Sequence, residues 1–338
     1  MANLMLTKQC NLHCSYCFAN EFVNKQSDIM SMETFETCLK FLSADYSERI
    51  GLIGGEPTLH PNLKQILARL IDSPFSSVCL FTNGIILQPY FNELRNGKFQ
   101  ILINLNDPRK VGSDRYAQIM DNIDQMVNHL YMRDQVGLGL NLYDPNMDFT
   151  FILEALERFR FKKLRVSVAV PNLDQNRGVN PLAYFRMMKP AVRDLVIKLL
   201  EIDVAPWFDC NYIPYCLEEP EDRELREKYA KTMQRSNLFQ RNPICSPVMD
   251  ILPDMKVVRC FGMSDACKVN LMDFKNTQEL RRHFQIEVDA LAYQILPDEE
   301  CRTCRHYAVG NCSCGCYAYR MQAWKKLHNT IHFIQEQA

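Results

Sequence analysis

Short apolar runs alternate with amphipathic segments along the first 200 residues, and this alternation restricts the chain to a few architectures. The apolar runs are predicted strands, at residues 2–7, 50–53, 77–82, 99–105, 136–142 and 163–170. The amphipathic segments are predicted helices, at residues 31–43, 62–71, 113–133, 149–159 and 181–201. Runs that are nearly continuous in Leu, Ile, Val and Phe are typical of parallel strands buried on both faces. The repeated β-α units therefore predict an α/β fold whose parallel sheet closes fully or partly into a barrel.

Composition argues against several classes of protein. The chain has 39 Lys plus Arg and 40 Asp plus Glu, a net charge of −1, so it lacks the basic excess typical of nucleic-acid-binding proteins. Apolar runs fall short of the ~18 residues that a transmembrane helix needs. The first residues also lack the apolar core of a secretory signal. We expect a cytoplasmic protein with neither nucleic-acid nor membrane partners.

The chain has 15 cysteines, and they are unevenly distributed. Three lie within residues 10–17, and ten lie between residues 210 and 316. Disulfides are rare in reducing compartments, so clustered cysteines indicate metal sites there. Cys38 and Cys79 stand apart, and we expect both to be buried apolar thiols. The distribution therefore predicts two separate metal-binding regions.

The first group, Cys10, Cys14 and Cys17, directly follows the first predicted strand. Three thiolates this close in sequence can hold a four-iron cube and leave one iron without a protein ligand. That iron can bind a small molecule through an amine and a carboxylate. From the spacing alone, a zinc site with His13 as fourth ligand is the alternative. The aromatic Tyr16 before the third cysteine, and the position after a strand, favour the cube.

The spacing of Cys10, Cys14, Tyr16 and Cys17 resembles the motif of the radical S-adenosylmethionine (radical SAM) family, Cys-x3-Cys-x-aromatic-Cys. The resemblance implies a partial (β/α)6, TIM-like barrel. It also implies two cofactors, a [4Fe-4S] cluster held by these three cysteines and S-adenosylmethionine (SAM). In this family one electron cleaves SAM to methionine and a 5′-deoxyadenosyl radical, which abstracts hydrogen from the substrate.

Polar residues at the ends of predicted strands are candidate SAM contacts, because ligands of such folds lie at the carboxyl ends of strands. The segment Gly54-Gly55-Glu56-Pro57 resembles the family's Gly-Gly-Glu-Pro segment, which holds the methionyl amine. Asn83 lies in a segment that resembles the family's Thr-Asn-Gly turn. Further candidates on later units are Asn104, Asn106, Arg115, Asn141 and Ser167. For each candidate the alternative is an ordinary turn, surface or core residue.

A second cysteine region begins with Cys245 and Cys260, which bracket a predicted hairpin around residues 253–255. The run that follows consists of Cys301, Cys304, Cys312, Cys314 and Cys316. A zinc ribbon needs only four such cysteines, and the region has more thiolates than one zinc site uses.

This second arrangement resembles the auxiliary-cluster extension called SPASM, or its shorter form, twitch. By resemblance, the ligands of one auxiliary [4Fe-4S] cluster include Cys245, Cys260 and Cys316. The ligands of the second include Cys301, Cys304 and Cys312. Candidate fourth ligands are Cys210, Cys216, Cys267 and Cys314. Such clusters accept an electron or bind substrate, and the alternative is that they only staple a small domain.

The predicted domains are a barrel over residues 1–203, a linker over 204–240, a small cysteine-rich auxiliary cluster domain over 241–322 and a C-terminal helix over 323–338. By resemblance, the expected function is modification of a ribosomally made peptide by crosslinking, thioether formation or epimerisation. The expected partners are that peptide and a flavodoxin- or ferredoxin-type electron donor. The alternatives are a small-molecule oxidation or rearrangement, sulfatase-type protein maturation, which Phe261 disfavours, and a non-catalytic iron–sulfur or zinc protein.

Overall fold

Two compact units make up the chain. The computed structural model describes residues 2–20, 22–25, 28–45, 48–169, 180–210, 213–233, 245, 247–264, 266–314, 316–318 and 320–321. The first unit comprises Met1–Leu140, Asp148–Leu164 and Pro247–Phe284. The second comprises Asn141–Met147, Arg165–Ser246 and Gln285–Ala338. This division does not coincide with the predicted boundaries at residues 203 and 240.

Ten strands and twelve α-helices lie within the described residues. The strands are β1 Ala2–Met5, β2 Arg49–Ile53, β3 Ser77–Thr82, β4 Phe99–Asn104, β5 Val136–Leu142, β6 Lys163–Val168, β7 Ala205–Cys210, β8 Asp250–Ile251, β9 Lys256–Val258 and β10 Lys268–Asn270. The helices are α1 Met32–Ser43, α2 Leu63–Ile71, α3 Phe91–Leu94, α4 Pro108–Val111, α5 Ser113–Asp124, α6 Thr150–Arg158, α7 Pro181–Glu201, α8 Pro220–Lys228, α9 Ala230–Met233, α10 Thr277–Phe284, α11 Ala290–Gln294 and α12 Arg305–Ala308. Single π-helical turns, Gln125–His129 and Gln285–Asp289, extend α5 and α10.

A parallel sheet organises the first unit. Strands β1 to β5 pair in sequence order, each parallel to the next. The full strand order of this unit is β10-β9-β8-β1-β2-β3-β4-β5. Most of the strand residues are buried, as expected for strands covered on both faces. The prediction of an α/β fold with a largely parallel sheet is confirmed, whereas closure into a partial barrel and a separate cluster domain stay predictions.

The predicted hairpin extends this same sheet. Strand β8 pairs in parallel with β1 through Asn3↔Asp250 and Leu4↔Ile251. Strand β9 is antiparallel to β8, and β10 is antiparallel to β9. The Asn3 side chain donates to Asp250 Oδ1 at 2.7 Å, which fixes the pairing inside the core. The hairpin residues therefore belong to the unit that carries the first three cysteines.

The helices of the first unit follow their apolar periodicity. In α2 the buried residues are Leu63, Ile66, Leu67 and Leu70, which recur at the spacing of one helical face. Helix α1 begins after Ser31, whose side chain accepts from the Thr34 backbone N–H at 3.0 Å. None of the helices in the described ranges is long and apolar enough to cross a bilayer.

The second unit contains one strand that the sequence analysis does not predict. Strand β7 lies within the residues assigned to a linker, and Pro206 obscures its pattern because proline within a run argues against a strand. The long helix α7 has the predicted bounds and buries eleven side chains. The predicted helix over 323–338 lies outside the described residues.

Candidate active site

The cysteine loop, residues 8–20, is anchored where it leaves β1. Leu6 donates its backbone N–H to Ile53 O at 2.8 Å, which continues the contact with β2. Lys8 is buried, and its Nζ lies 2.5 Å from Asp28 Oδ2 while its backbone N–H donates to Asp28 O at 2.9 Å. The loop therefore starts from a fixed position at the carboxyl end of β1.

Asn24 holds the first cysteine by its backbone. Its Oδ1 accepts from the Cys10 N–H at 2.8 Å, and its Nδ2 donates to Cys10 O at 3.2 Å. Its own N–H donates to Lys8 O at 2.8 Å, and its φ of 57° lies in the left-handed region that asparagine tolerates. Asn24 is not predicted from the sequence, although an asparagine shortly after the motif is the available signal.

The three thiols of the loop are half-buried and influence one another's charge. Burial raises the pKa of Cys10 to about 11, and negative charge on Glu56, Cys14 and Cys17 adds to the rise. Burial also raises the pKa of Cys14 and Cys17. Such thiols lose their protons when a metal supplies positive charge, so they suit metal ligands rather than free thiolates. Their closeness and half-burial fit a shared iron–sulfur cluster.

The glycine pair brings the end of β2 directly against the cysteine loop. Gly55 N–H donates to Thr7 O at 2.8 Å, and Glu56 N–H donates to Gln9 O at 2.7 Å. A Cβ on Gly55 would lie 2.2 Å from Gln9 O and 3.0 Å from the Cβ of Cys10. A Cβ on Gly54 would lie 2.7 Å from Thr7 O. Only glycine therefore fits at these two positions, where the end of β2 approaches the cysteine loop backbone to backbone.

Glu56 is buried and accepts four hydrogen bonds from the protein. Its Oε1 accepts from the Thr58 N–H at 3.2 Å, the Thr58 hydroxyl at 2.7 Å and the Thr82 hydroxyl at 2.7 Å. Its Oε2 accepts from the Asn83 N–H at 2.8 Å. Burial raises the pKa of Glu56, and these four donors oppose the rise. Glu56 thereby joins the ends of β2 and β3, while its contact with a methionyl amine stays a prediction.

Asn11, inside the cysteine motif, joins two further elements to the loop. Its Oδ1 accepts from Asn83 Nδ2 at 2.7 Å, and its backbone oxygen accepts from Arg115 Nη1 at 3.3 Å. The candidates Asn83 and Arg115 therefore both contact the cysteine loop. Asn11 is not predicted from the sequence, because nothing in the motif distinguishes it from its neighbours.

Tyr16 and the end of β4 form a second link to the loop. The Tyr16 hydroxyl donates to Asn106 Oδ1, and Asn106 Nδ2 donates to Asn104 O at 3.2 Å. Tyr16, Asn104 and Asn106 thus lie together in the first unit. Pro57 begins a 3-10 turn, Pro57–Leu59, immediately after Glu56.

Two candidates lie in the second unit. Asn141 Oδ1 accepts from Arg165 Nη1 at 3.0 Å, and Ser167 is buried. The SAM contacts assigned to Asn141 and Ser167 stay predictions.

Five cysteines of the second unit influence one another electrostatically: Cys216, Cys301, Cys304, Cys312 and Cys314. Interaction between the Cys301 and Cys314 thiols is the main reason that the pKa of Cys314 is raised and that of Cys301 lowered. Cys314 N–H donates to Cys312 Sγ at 3.3 Å, and its φ of 52° turns the chain back. The candidate ligands of the second auxiliary cluster therefore lie together.

The other candidate ligands are divided between the units. Cys260 and Cys267 lie in the first, where Arg259 Nη1 is 3.9 Å from Cys260 Sγ and Cys267 Sγ is 3.7 Å from His283 Nε2. In the second are Cys245, Cys316 and Cys210, and the Cys210 side chain lies outside the described residues. In the described part of the chain, no three His, Cys, Asp or Glu side chains form a group that could hold a single metal ion. The ligand set of the first auxiliary cluster stays a prediction.

Comparison with known families adds a finding about the first unit. The family model described as the radical SAM superfamily matches residues 4–131. These residues include the cysteine loop, the glycine pair, Glu56, Asn83 and Arg115. The chain carries a radical SAM domain.

Curated proteins are similar to parts of this chain. GTP 3′,8-cyclase of Pelotomaculum thermopropionicum is 30% identical over 120 residues, which are 34% of this chain and 36% of that protein. A probable GTP 3′,8-cyclase of Pyrococcus abyssi is 24% identical over 276 residues, 78% of this chain and 77% of that protein. The chain spans less than half the length of the first curated relatives that it matches.

Among solved structures, Streptococcus suis SuiB bound to S-adenosylmethionine resembles this chain with a TM-score of 0.61 at 14% identity. The likeness covers 94% of this chain and 72% of SuiB. SuiB bound to the precursor peptide SuiA gives a TM-score of 0.59, also at 14% identity, over 94% of this chain and 71% of SuiB. At this identity the likeness shows the fold, which here extends beyond the radical SAM domain.

Proposed function

We propose that the chain is a radical SAM enzyme that holds a [4Fe-4S] cluster on Cys10, Cys14 and Cys17 and binds SAM beside it. The observation that carries this proposal is the close contact of Gly55 with Gln9 and Cys10. That contact joins the Gly-Gly-Glu-Pro segment to the cysteine motif, so two features that are far apart in sequence lie side by side, which supports a shared site.

When bound and reduced, the cluster and SAM supply a 5′-deoxyadenosyl radical that abstracts hydrogen from the substrate. The protein's own residues hold the loop in position. Asn24 fixes the Cys10 backbone, while Asn83 and Arg115 fix the loop through Asn11. Half-burial of the three thiols limits the access of water to the site.

For the substrate we propose a peptide. SuiB, whose fold matches 94% of this chain, has been crystallised with a precursor peptide. The likeness includes the second unit, where most of the additional cysteines lie. The fold similarity to SuiB covers more of this chain than the sequence similarity to the GTP 3′,8-cyclases does. We therefore place a peptide before a nucleotide as the substrate.

A nucleotide is the second candidate. The curated relatives are named GTP 3′,8-cyclases, and one of them matches over 78% of this chain. GTP is therefore the small molecule to test first.

We also propose an auxiliary [4Fe-4S] cluster held by Cys301, Cys304 and Cys312. Their mutual electrostatic influence supports this set, and the influence of Cys216 and Cys314 on the same cysteines supports these two as candidates for a fourth ligand. A flavodoxin- or ferredoxin-type protein would deliver the electrons.

The substrate is tested with the anaerobically reconstituted, reduced protein and SAM. One reaction receives GTP, and others receive synthetic peptides encoded beside the gene. We expect a peptide to change in mass, or to gain deuterium from heavy water if it is epimerised, while GTP is recovered intact. Consumption of GTP with every peptide unchanged would contradict the peptide assignment and support the second candidate. Cys14→Ala protein is the control for uncatalysed change.

A further inference from the structure

The two largest fully buried side chains among the described residues are arginines, Arg259 and Arg320. A buried guanidinium is costly unless a negative group compensates it, because desolvation of one charge costs several kcal/mol. The partners of these two arginines differ, and this difference carries the inference.

Arg320 is surrounded by neutral groups. Its Nε donates to Ser313 O at 2.9 Å, and its Nη1 donates to Ala292 O at 3.2 Å and to Ile295 O at 3.3 Å. Its Cζ lies 5.5 Å from the Tyr307 ring centre and 5.1 Å from that of Tyr317. Within the described residues, no carboxylate lies within ion-pair distance of Arg320. Backbone oxygens and aromatic faces stabilise the cation but do not neutralise it.

The groups near Arg320 that can carry negative charge are thiols. Ser313, whose backbone oxygen accepts from Arg320 Nε at 2.9 Å, lies between Cys312 and Cys314, and the positive charge of Arg320 also acts on Cys301. These are members of the cysteine group to which we assign an auxiliary cluster. A cluster with thiolate ligands is anionic and would supply the missing negative charge.

Arg259 has a carboxylate as well as a cysteine nearby. Burial raises the pKa of Asp250 to about 7, and the positive charge of Arg259 opposes this rise. Its Nη1 also lies 3.9 Å from Cys260 Sγ. The Asp250 carboxylate can therefore compensate the charge of Arg259, whereas the groups near Arg320 that can become negative are cysteine thiols.

We propose that Arg320 is the buried counter-charge of the auxiliary cluster at Cys301, Cys304 and Cys312, and that it raises the reduction potential of this cluster. The inference rests on the proposed auxiliary cluster. Reduction adds one electron and makes the cluster one unit more negative. A fixed cation in a low-dielectric interior favours the more negative state, so Arg320 stabilises the reduced form.

The test is a potentiometric titration of reconstituted protein, with dithionite as reductant and the reduced cluster detected by electron paramagnetic resonance. A Cys14→Ala background removes the signal of the N-terminal cluster, and iron content is measured first. Arg320→Gln removes the charge, and Arg320→Lys keeps it. The control is Arg302→Gln, an exposed arginine next to Cys301 that pairs with Glu299 at 2.9 Å.

We expect Arg320→Gln to lower the ratio of reduced to oxidised auxiliary cluster at fixed potential at least tenfold, which is about 59 mV for one electron. Arg320→Lys and Arg302→Gln should keep the potential of the parent protein. If Arg320→Gln fails to retain iron, Arg320→Lys must retain it, because the retained charge is what the cluster needs.

Three results would overturn the inference. One is an Arg320→Gln protein with full iron and an unchanged potential. Another is an Arg320→Lys protein whose reduction potential shifts, or whose iron content falls, as much as that of Arg320→Gln. The third is a parent protein with four irons and intact N-terminal cysteines, which removes the auxiliary cluster itself and leaves the N-terminal site standing.

Discussion

At the scale of single residues, Glu56 shows how one buried side chain can hold the ends of two strands together at the site. Its carboxylate, which can only accept, accepts hydrogen bonds from Thr58, Thr82 and Asn83. The same network continues from Asn83 to Asn11 inside the cysteine loop. Glu56 therefore stabilises the site whether or not it also binds an amine.

Replacing Glu56 with glutamine should destabilise the protein even without SAM. Four protein groups donate hydrogen bonds to the two carboxylate oxygens of Glu56. Glu56→Gln replaces one of these oxygens with an NH2 group, which cannot accept, so at least one buried N–H or O–H loses its partner. We expect a loss of about 1–3 kcal/mol in the free energy of unfolding, measured by urea denaturation of the reconstituted protein.

The matched control is Glu36→Gln, which removes an exposed ion pair with Arg69 at 3.0 Å. It should change the free energy of unfolding by less than about 0.5 kcal/mol. If Glu56→Gln weakened SAM binding but left stability unchanged, Glu56 would be a ligand contact rather than a structural link.

At the scale of elements, the site is a contact between the end of β2 and the cysteine loop. Two backbone hydrogen bonds join them, from Gly55 to Thr7 and from Glu56 to Gln9. Since both segments approach backbone to backbone, the absence of a Cβ at Gly55 decides whether the loop can adopt its position.

Gly55→Ala should therefore disrupt the N-terminal cluster. The new Cβ would meet Gln9 O at 2.2 Å and must displace the loop that carries Cys10. We expect loss of about four irons per chain and of SAM cleavage, measured by iron analysis and product release.

Gly97→Ala is the control, because a Cβ there meets nothing within 4 Å. It should keep full iron and change the free energy of unfolding by no more than about 1 kcal/mol. Full iron and full activity in Gly55→Ala protein would show that the contact does not position the loop.

The sequence predicts those elements that rest on local periodicity. Strand Ser77–Thr82, strand Val136–Leu142 and helix Pro181–Glu201 have the predicted bounds, since their apolar patterns end at turn residues. The pairing of Asn3 with Asp250 joins residues 247 positions apart, and no local pattern encodes it. Strand β7 is missed because Pro206 interrupts its pattern.

The candidate site was predictable to the extent that a motif fixes its residues. The cysteine spacing and the Gly-Gly-Glu-Pro segment identify the loop and the end of β2. Asn11 and Asn24 escape prediction because their roles depend on backbone atoms that face them only after folding. Arg320 escapes for the same reason, since its complete burial is a property of tertiary packing.

At the scale of the whole molecule, the chain combines a radical SAM domain with a second cysteine-rich unit. The family model covers residues 4–131, whereas the fold similarity to SuiB covers 94% of the chain. The chemistry proposed for the first unit depends on the three thiols of the cysteine loop. The function proposed for the second unit depends on the cysteines near Arg320.

The central claim is that this chain cleaves SAM at a cluster on its N-terminal loop. The direct measurement is the release of 5′-deoxyadenosine from SAM by anaerobically reconstituted, dithionite-reduced protein, for the unchanged chain, Cys14→Ala and Cys38→Ala. Cys38 is a fully buried thiol on α1, so its substitution controls for the loss of any cysteine. We predict release by the unchanged chain and by Cys38→Ala, and none by Cys14→Ala. Equal release of 5′-deoxyadenosine by the unchanged chain and by Cys14→Ala would contradict the account. So would no release of 5′-deoxyadenosine from the unchanged chain when it is loaded with iron.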